Sequence, residues 1–238
     1  MKLVLLGYGK MGKEIEQVAL QRNHEIILKV NSSNMDNISL DKIQKADVAI
    51  EFSTPASAVK NIHTCFNASI PVVVGTTGWL DKLNEIKQAC IEKNQTLFYS
   101  SNYSIGVNIF FKLNEYLAQI MNNHNDYNVS IEEIHHLHKL DSPSGTAIST
   151  AKGIIENLER KNVWVNHPTD KKNELEIISQ RIDEVPGTHR VSYDSAIDKI
   201  EIIHTAHSRK GFALGAVLAA EFTKGKKGVF EMNDLLKL

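Results

Sequence analysis

Cysteine is nearly absent: the 238-residue chain has two, Cys65 and Cys90. Both fall in segments whose apolar spacing reads as helix, so they are expected as small buried hydrophobes, and a disulfide framework is excluded. No C-x-x-C and no H-E-x-x-H occurs, which removes the common zinc signatures. An excess of one charge is missing too. With 27 Lys+Arg against 28 Asp+Glu the formal net charge is -1, so no broad basic field exists to draw the chain onto nucleic-acid phosphates. No apolar run approaches the ~20 residues that a membrane span needs. The opening "MKLVLL" turns at once into a glycine loop and the charged "KEIEQ", too short for a secretory leader. These absences predict a soluble, cytoplasmic protein with no nucleic-acid and no membrane partner.

What is present is a full globular composition, 42 % hydrophobic and 23 % charged, in a length that suits two modest lobes. "KLVLL" at residues 2–6 is a short continuous apolar run, as a strand buried on both faces would be. Strand signals return in "EIILKV" at 25–30, "ADVAIEF" at 46–52, "IPVVV" and "QTLFYS". Between them lie helical patterns: Met11, Ile15, Val18 and Ala19; a segment launched by Ser53-Thr54-Pro55 and running to about 67; and one from about Leu80 to Lys93. Alternating strands and helices imply a Rossmann-type, doubly wound parallel sheet, with ligands at the carboxyl ends of its strands. "GYGKMG", "EFSTP", "VGTTG" and "SSNYS" all fall at such ends.

The pattern then changes. A helix over 104–121, a strand in "YNVSIEEIHH", a helix from about Ser144 to Glu159, and the strand-like "LEIISQRI", "THRVSYD" and "KIEIIHTAH" predict an α+β lobe with a mixed sheet. The tail from Phe212, "FALGAVLAAEFTKG", reads as a helix returning to the first lobe. The expected domains are 1–104 with 210–238, and 105–209, with hinges near Ser104 and Arg209 and the chemistry in the cleft between lobes.

Gly7, Gly9 and Gly12 fit G-x-G-x-x-G between a strand and a helix, where one glycine permits the turn, one lets backbone N–H groups approach a pyrophosphate, and one allows close packing. The second strand ends in "KVNSSN", with neither the acid that reads the ribose of NAD nor the arginine that reads the extra phosphate of NADP. Asn31, Ser32 and Ser33 offer hydrogen bonds to either, so the coenzyme is NADH or NADPH.

"HHLHKLDSPSGTA" at 135–147 admits three readings. His136 and His138 would share a strand face and could ligate a metal, but further ligands are missing. A row of half-exposed histidines at a strand end needs no ligand at all. Alternatively Lys139 and His136 hold an anion, Ser144, Gly145 and Thr146 open a helix whose N–H groups meet the same anion, and His135 is left to move a proton near neutral pH.

"EEIHHLHKLDSPSGTA" resembles the signature of the 4-hydroxy-tetrahydrodipicolinate (dihydrodipicolinate) reductase family. The resemblance extends, in order, through "GYGKMG", "EFSTP", "VGTTG", "SNYSIGVN", "VPGTHRV" and "AHSRKGFALGAV". It implies a nicotinamide-dependent reductase of lysine and diaminopimelate biosynthesis, a cyclic dicarboxylate substrate and a homotetramer formed through the second lobe's sheet. It further implies hydride transfer to ring carbon 4 and His135 as the proton donor. Lys139 would be a second proton source or carboxylate anchor, beside His136, Ser144, Gly145 and Thr146 at the substrate. The coenzyme contacts it implies are Gly7, Tyr8, Gly9, Lys10, Met11 and Gly12, then Gly75, Thr76 and Thr77, and Ser100, Ser101, Asn102 and Tyr103. Three departures are visible: Glu51 stands where the family commonly carries aspartate, the glycine loop is one residue shorter than in many members, and the second strand lacks the acid that would choose between NAD and NADP.

His204 and His207 read as structural, and Trp79 and Trp164 as packing or interface residues. Two other classes would suit parts of the sequence: a metal-dependent hydrolase built on His135, His136 and His138, and a non-catalytic nucleotide sensor. The reductase reading needs no metal.

Overall fold

The computed structural model describes residues 1–31, 40–208 and 210–238. Ser32, Ser33 and Arg209 lie outside them. In chain order the elements are β1 (Lys2–Leu6), α1 (Lys10–Gln21), β2 (Glu25–Val30), α2 (Leu40–Ile43), β3 (Val48–Glu51), α3 (Pro55–Asn67) and β4 (Val72–Val74). There follow α4 (Leu83–Glu92), β5 (Thr96–Tyr99), α5 (Ile105–Met121), β6 (Asn128–His135), α6 (Gly145–Ile155), β7 (Val163–Val165) and β8 (Glu174–Arg181). The chain closes with β9 (Thr188–Asp194), β10 (Lys199–Thr205), α7 (Lys210–Thr223), β11 (Gly228–Phe230) and α8 (Met232–Leu236). It divides into two compact units, Met1–Ile105 with Lys210–Leu238, and Gly106–Arg209. No helix among the described residues is long and apolar enough to cross a membrane.

The first unit is a parallel sheet in the order β11-β5-β4-β3-β1-β2. Its central strands β1, β3 and β4 are largely continuous apolar runs because both faces are covered. Leu3 and Leu5 of β1 pack with Ile15, Val18 and Ala19 of α1 and with Ala213, Ala216 and Val217 of α7. Val4 and Leu6, pointing the other way, pack with Ile62 and Phe66 of α3 and Ile86 of α4. Cys65 and Cys90 are free and buried in this second layer, and burial pushes both thiols up, so neither carries a reactive thiolate.

The tail helix α7 lies so close to the chain at Tyr103 that a Cβ on Gly215 would sit 1.7 Å from the Tyr103 carbonyl oxygen. Alanine there would gain about 1 kcal/mol of helix propensity but would force two backbones apart, and overpacking typically costs about 1–3 kcal/mol. Gly215→Ala should therefore lower the melting temperature by several degrees, at about 2–4 °C per kcal/mol for a chain of this size. A calorimetric scan with an unchanged midpoint would refute the close approach.

The second unit is a mixed sheet in the order β10-β9-β6-β8-β7, with β8 parallel to β6 and β7, and β9 antiparallel to β6 and β10. Alternation along β6 turns Val129, Ile131, Glu133 and His135 inward. The two apolar ones pack with Phe110 and Ala118 of α5 and with Ala147, Ala151 and Ile154 of α6. The opposite face carries Glu132, held by Gln180 at 2.7 Å and Arg190 at 2.7 Å, and the exposed Ile203 of β10.

Two helix boundaries and two short strands differ from the sequence expectation. The helix expected from Leu80 begins with a 3-10 turn, Leu80–Lys82. The helix expected to run to Glu159 stops at Ile155, where the Asn157 side chain donates to the Gly153 carbonyl at 2.8 Å and takes over a terminal acceptor. The three-residue strands β7 and β11 were too short to leave a periodic signal.

Candidate functional site

In the first unit the rim of strand ends is held tightly by the protein itself. Gly7 has φ +100°, and a Cβ there would lie 2.0 Å from the Phe52 carbonyl oxygen; a Cβ on Gly12 would lie 2.3 Å from the Gly7 carbonyl oxygen. Gly9 has open space where its Cβ would be, and it caps α1 without a side-chain bond. Two glycines thus close the turn and one leaves backbone accessible, which is the division of labour a pyrophosphate cradle needs. Tyr8 donates to Glu16, Lys29 pairs with Glu16 at 2.5 Å, and Met11 packs into the core beneath. Lys10 is exposed beside the loop, and Asn31 is exposed at the end of β2.

The neighbouring strand ends are braced against one another. Buried Glu51 accepts from Ser53 and from Asn61 Nδ2 at 3.1 Å, Thr76 Oγ1 accepts from Ser53 N at 2.8 Å, and Trp79 Nε1 donates to the Thr76 carbonyl at 2.7 Å. Gly75 is obligatory, since a Cβ there would meet the Phe52 ring at 2.0 Å; Thr77 is exposed. Asn102 Oδ1 accepts from Ser104 N at 2.9 Å, Ser100 Oγ donates to the Asn102 carbonyl at 2.8 Å, and Ser101 is exposed. Tyr103 is different: it is 2 % exposed and its hydroxyl donates to the Val74 carbonyl at 2.7 Å. Its side chain belongs to the core and offers no surface to a coenzyme.

In the second unit, buried titratable side chains gather at the end of β6. Period-two alternation puts Glu133 and His135 on one face, and antiparallel register sets His189 of β9 opposite Glu133. Glu133 is fully buried: Oε1 accepts from Ser144 N at 3.0 Å and Arg181 Nη2 at 3.2 Å, and Oε2 stands at ion-pair distance, 3.0 Å, from His135 Nδ1 without an aligned hydrogen bond. Burial alone would raise its pKa, but His135 and Ser144 outweigh burial and hold the carboxyl well below its ordinary range. Ser144 Oγ, the N-cap of α6, accepts from Ala147 N at 3.2 Å and meets His189 Nε2 at 3.2 Å. His189 is pushed down to about 3, first by burial and then by the neighbouring His135, so it is neutral. The rings of His135 and His189 stand 5.1 Å apart at 72°. On its other side His135 Nε2 faces Gly187, where a Cβ would come within 3.0 Å.

Of the sequence-predicted residues, the fold therefore brings His135 and Ser144 into one network. Gly145 is exposed and Thr146 half-buried in the first turn of α6. Lys139 lies on the intervening loop and pairs with Asp141 at 2.8 and 2.9 Å. His136 and His138 do not share a strand face, because β6 ends at His135; their rings are 6.3 Å apart and His138 is exposed near Glu184. The histidine cluster that actually forms, among the described residues, joins Glu133, His135 and His189, with candidate ligand atoms within 4.8 Å of one another. Sequence reasoning missed Glu133, Arg181 and His189. Glu133 was readable from its i, i+2 relation to His135, whereas the other two arrive through strand register.

Residues 1–103 match the family model of the dihydrodipicolinate reductase N-terminus, and residues 106–236 match that of its C-terminus. The chain is 51 % identical to the 4-hydroxy-tetrahydrodipicolinate reductase of Christiangramia forsetii over 236 residues, covering 99 % of this chain and 98 % of that one. It is 34 % identical to the enzyme of the same name from Clostridium tetani, covering 99 % and 96 %. Among solved structures, a dipicolinate-bound dihydrodipicolinate reductase from Paenisporosarcina sp. superposes with a TM-score of 0.81 at 21 % identity, covering 97 % of each chain. An amine dehydrogenase from Mycobacterium smegmatis shares the fold at a TM-score of 0.60 and 8 % identity. With both halves matched in order and a relative of the same length at 51 % identity, the chain belongs to the dihydrodipicolinate reductase family.

Proposed function

We propose that this protein reduces 4-hydroxy-tetrahydrodipicolinate to tetrahydrodipicolinate, with a nicotinamide dinucleotide as reductant, in lysine and diaminopimelate biosynthesis. The observation that carries the reading is the buried Glu133–His135 pair at the end of β6, beside the N-terminus of α6. The glycine geometry fits the coenzyme, since Gly9 is open while Gly7 and Gly12 are packed. When bound, NADH or NADPH supplies the hydride that reaches ring carbon 4. The chain's own residues do the rest. Gly7 to Gly12, Gly75 to Thr77 and Ser100 to Asn102 hold the coenzyme, with Asn31 near its ribose. Lys139, His136 and the N–H groups of Gly145 and Thr146 hold the substrate carboxylates.

Loss of the hydroxyl as water leaves an unsaturated imine, and reduction at carbon 4 gives an enamine. His135 protonates that enamine from Nε2, with Nδ1 kept against Glu133. Glu133 orients the ring, its Oε2 standing 3.0 Å from Nδ1. Neutral His189 and Ser144 hold Glu133's surroundings in place. The second unit's outer sheet face, with Ile203 exposed on β10, suits assembly into a homotetramer.

The reading is tested by a coupled assay in which the unstable substrate is made in place from pyruvate and aspartate semialdehyde by its synthase. Oxidation of reduced coenzyme that requires both enzymes supports the reaction, and the NADH-to-NADPH rate ratio reads the coenzyme preference. A folded protein that binds coenzyme without turnover would instead be a sensor. Lys139→Ala should weaken inhibition by pyridine-2,6-dicarboxylate about tenfold or more, as expected for a lost charge-assisted bond of about 1.5–3 kcal/mol. Equal inhibition of variant and parent would remove Lys139 from the carboxylate clamp.

A further inference from the structure

A polar cavity of about 550 Å³ opens within the Gly106–Arg209 unit. It lies beside Asn128, where β6 begins, whereas His135 stands where β6 ends. Eight residues of extended strand separate the two by roughly 23 Å. The cavity is therefore not part of the Glu133–His135 site.

Its wall carries Arg160, Lys161, Lys171 and Lys172 against two acids, Asp126 and Asp170. Arg160 donates from Nη1 to the Met121 carbonyl at 2.8 Å and from Nη2 to the Tyr127 carbonyl at 3.0 Å. Lys161, only 4 % exposed, donates to Asn128 Oδ1 at 3.2 Å and to the Glu174 carbonyl at 2.7 Å. All four acceptors are neutral. Among the described residues no carboxylate lies within ion-pair distance of Arg160, Lys161 or Lys172, while Lys171 is matched by Glu174 at 2.8 Å. Both acids on the wall are exposed to solvent.

Two adjacent, partly desolvated cations with no carboxylate in direct contact are costly unless something negative joins them. Burial lowers the pKa of Lys161 and the Arg160 charge lowers it further, and together they outweigh the opposing pull of Glu176 and Glu174. A guanidinium beside an ammonium, with donors to spare, is a recurrent way of holding oxyanions.

We propose that this cavity binds a small oxyanion, either a phosphate group or a compact carboxylate, at Arg160, Lys161 and Lys172. This does not depend on the reductase reading. The test is peptide-resolved hydrogen exchange on the full chain in inorganic phosphate, in malonate, and in sodium chloride at matched ionic strength. Saturable protection of residues 122–128 and 168–174 by phosphate, malonate or both supports the site, and the pattern identifies which oxyanion it takes. Lys172→Glu, on an exposed side chain, should raise the concentration for half-protection at least tenfold, and Arg160→Gln should do likewise. No protection of these segments by either anion, protection equalled by chloride, or unchanged affinity in Lys172→Glu would overturn the proposal.

Discussion

His135→Gln lowers kcat by about 10²-fold or more, the usual contribution of a positioned general acid, and leaves coenzyme affinity nearly unchanged. The separation follows from placement: His135 closes β6 in the second unit, whereas the glycine cradle that would hold the coenzyme belongs to the first. Glutamine still reaches toward Glu133, so the fold is kept, but an amide has no proton to give at neutral pH. Steady-state rates and a coenzyme fluorescence titration on the same preparation separate the two effects. Parent-like turnover would assign the proton to another group, and a matching loss of coenzyme affinity would point to misfolding.

Acidification should destabilise the protein well before ordinary carboxylates titrate. His189 has an ordinary pKa of 6.5 and is pushed down to about 3 in the folded chain. Between those values only the unfolded chain takes up the proton, so stability present above pH 6.5 is lost as pH falls toward 3. One proton amounts to about 1.4 kcal/mol per pH unit, so going from pH 6.5 to 5 costs roughly 2 kcal/mol. Glu133 acts with the same sign at lower pH: its carboxyl is held below its ordinary 4.5, and that contribution disappears as pH drops through and below this value. His204, lowered by burial, adds to the upper part of the slope. Denaturant titrations at pH 7, 6 and 5 measure the slope. His189→Gln, which can keep the bond to Ser144 Oγ, should flatten it, and an unchanged slope would mean that His189 is protonated in the folded state.

Much of this architecture was legible in the sequence because its signals are local. A strand covered on both faces must be an unbroken apolar run, and "KLVLL" and "VVV" are such runs. Gly7, Gly9 and Gly12 announce their spacing without any partner. The candidate proton-transfer site was only half legible. His135 was visible in a conspicuous motif, but its orienting carboxylate has meaning only once alternation along β6 is fixed, and His189 and Arg181 reach Glu133 through pairing with β9 and β8. Register is a long-range property that no window of sequence displays. The reading of His136 and His138 as a strand-face pair failed because the strand stops one residue too soon. The burial of the Tyr103 side chain was not legible, because a tyrosine with a polar handle reads the same whether its hydroxyl meets a ligand or, as here, a buried carbonyl.

The return of α7 and β11 to the first sheet also fixes the order in which the chain can fold as it leaves the ribosome. β11 pairs with β5, and α7 supplies Ala213, Ala216, Val217, Ala219 and Ala220 to the layer over Leu3, Leu5, Ile50 and Phe98. The amino-terminal unit, although made first, stays without one side of its core until the last segment is synthesised. The Gly106–Arg209 unit is continuous in sequence and can fold during translation. In vectorial synthesis the half made second matures first, and the emerging coenzyme-binding half, with an uncovered apolar sheet face, is the species that chaperones would meet.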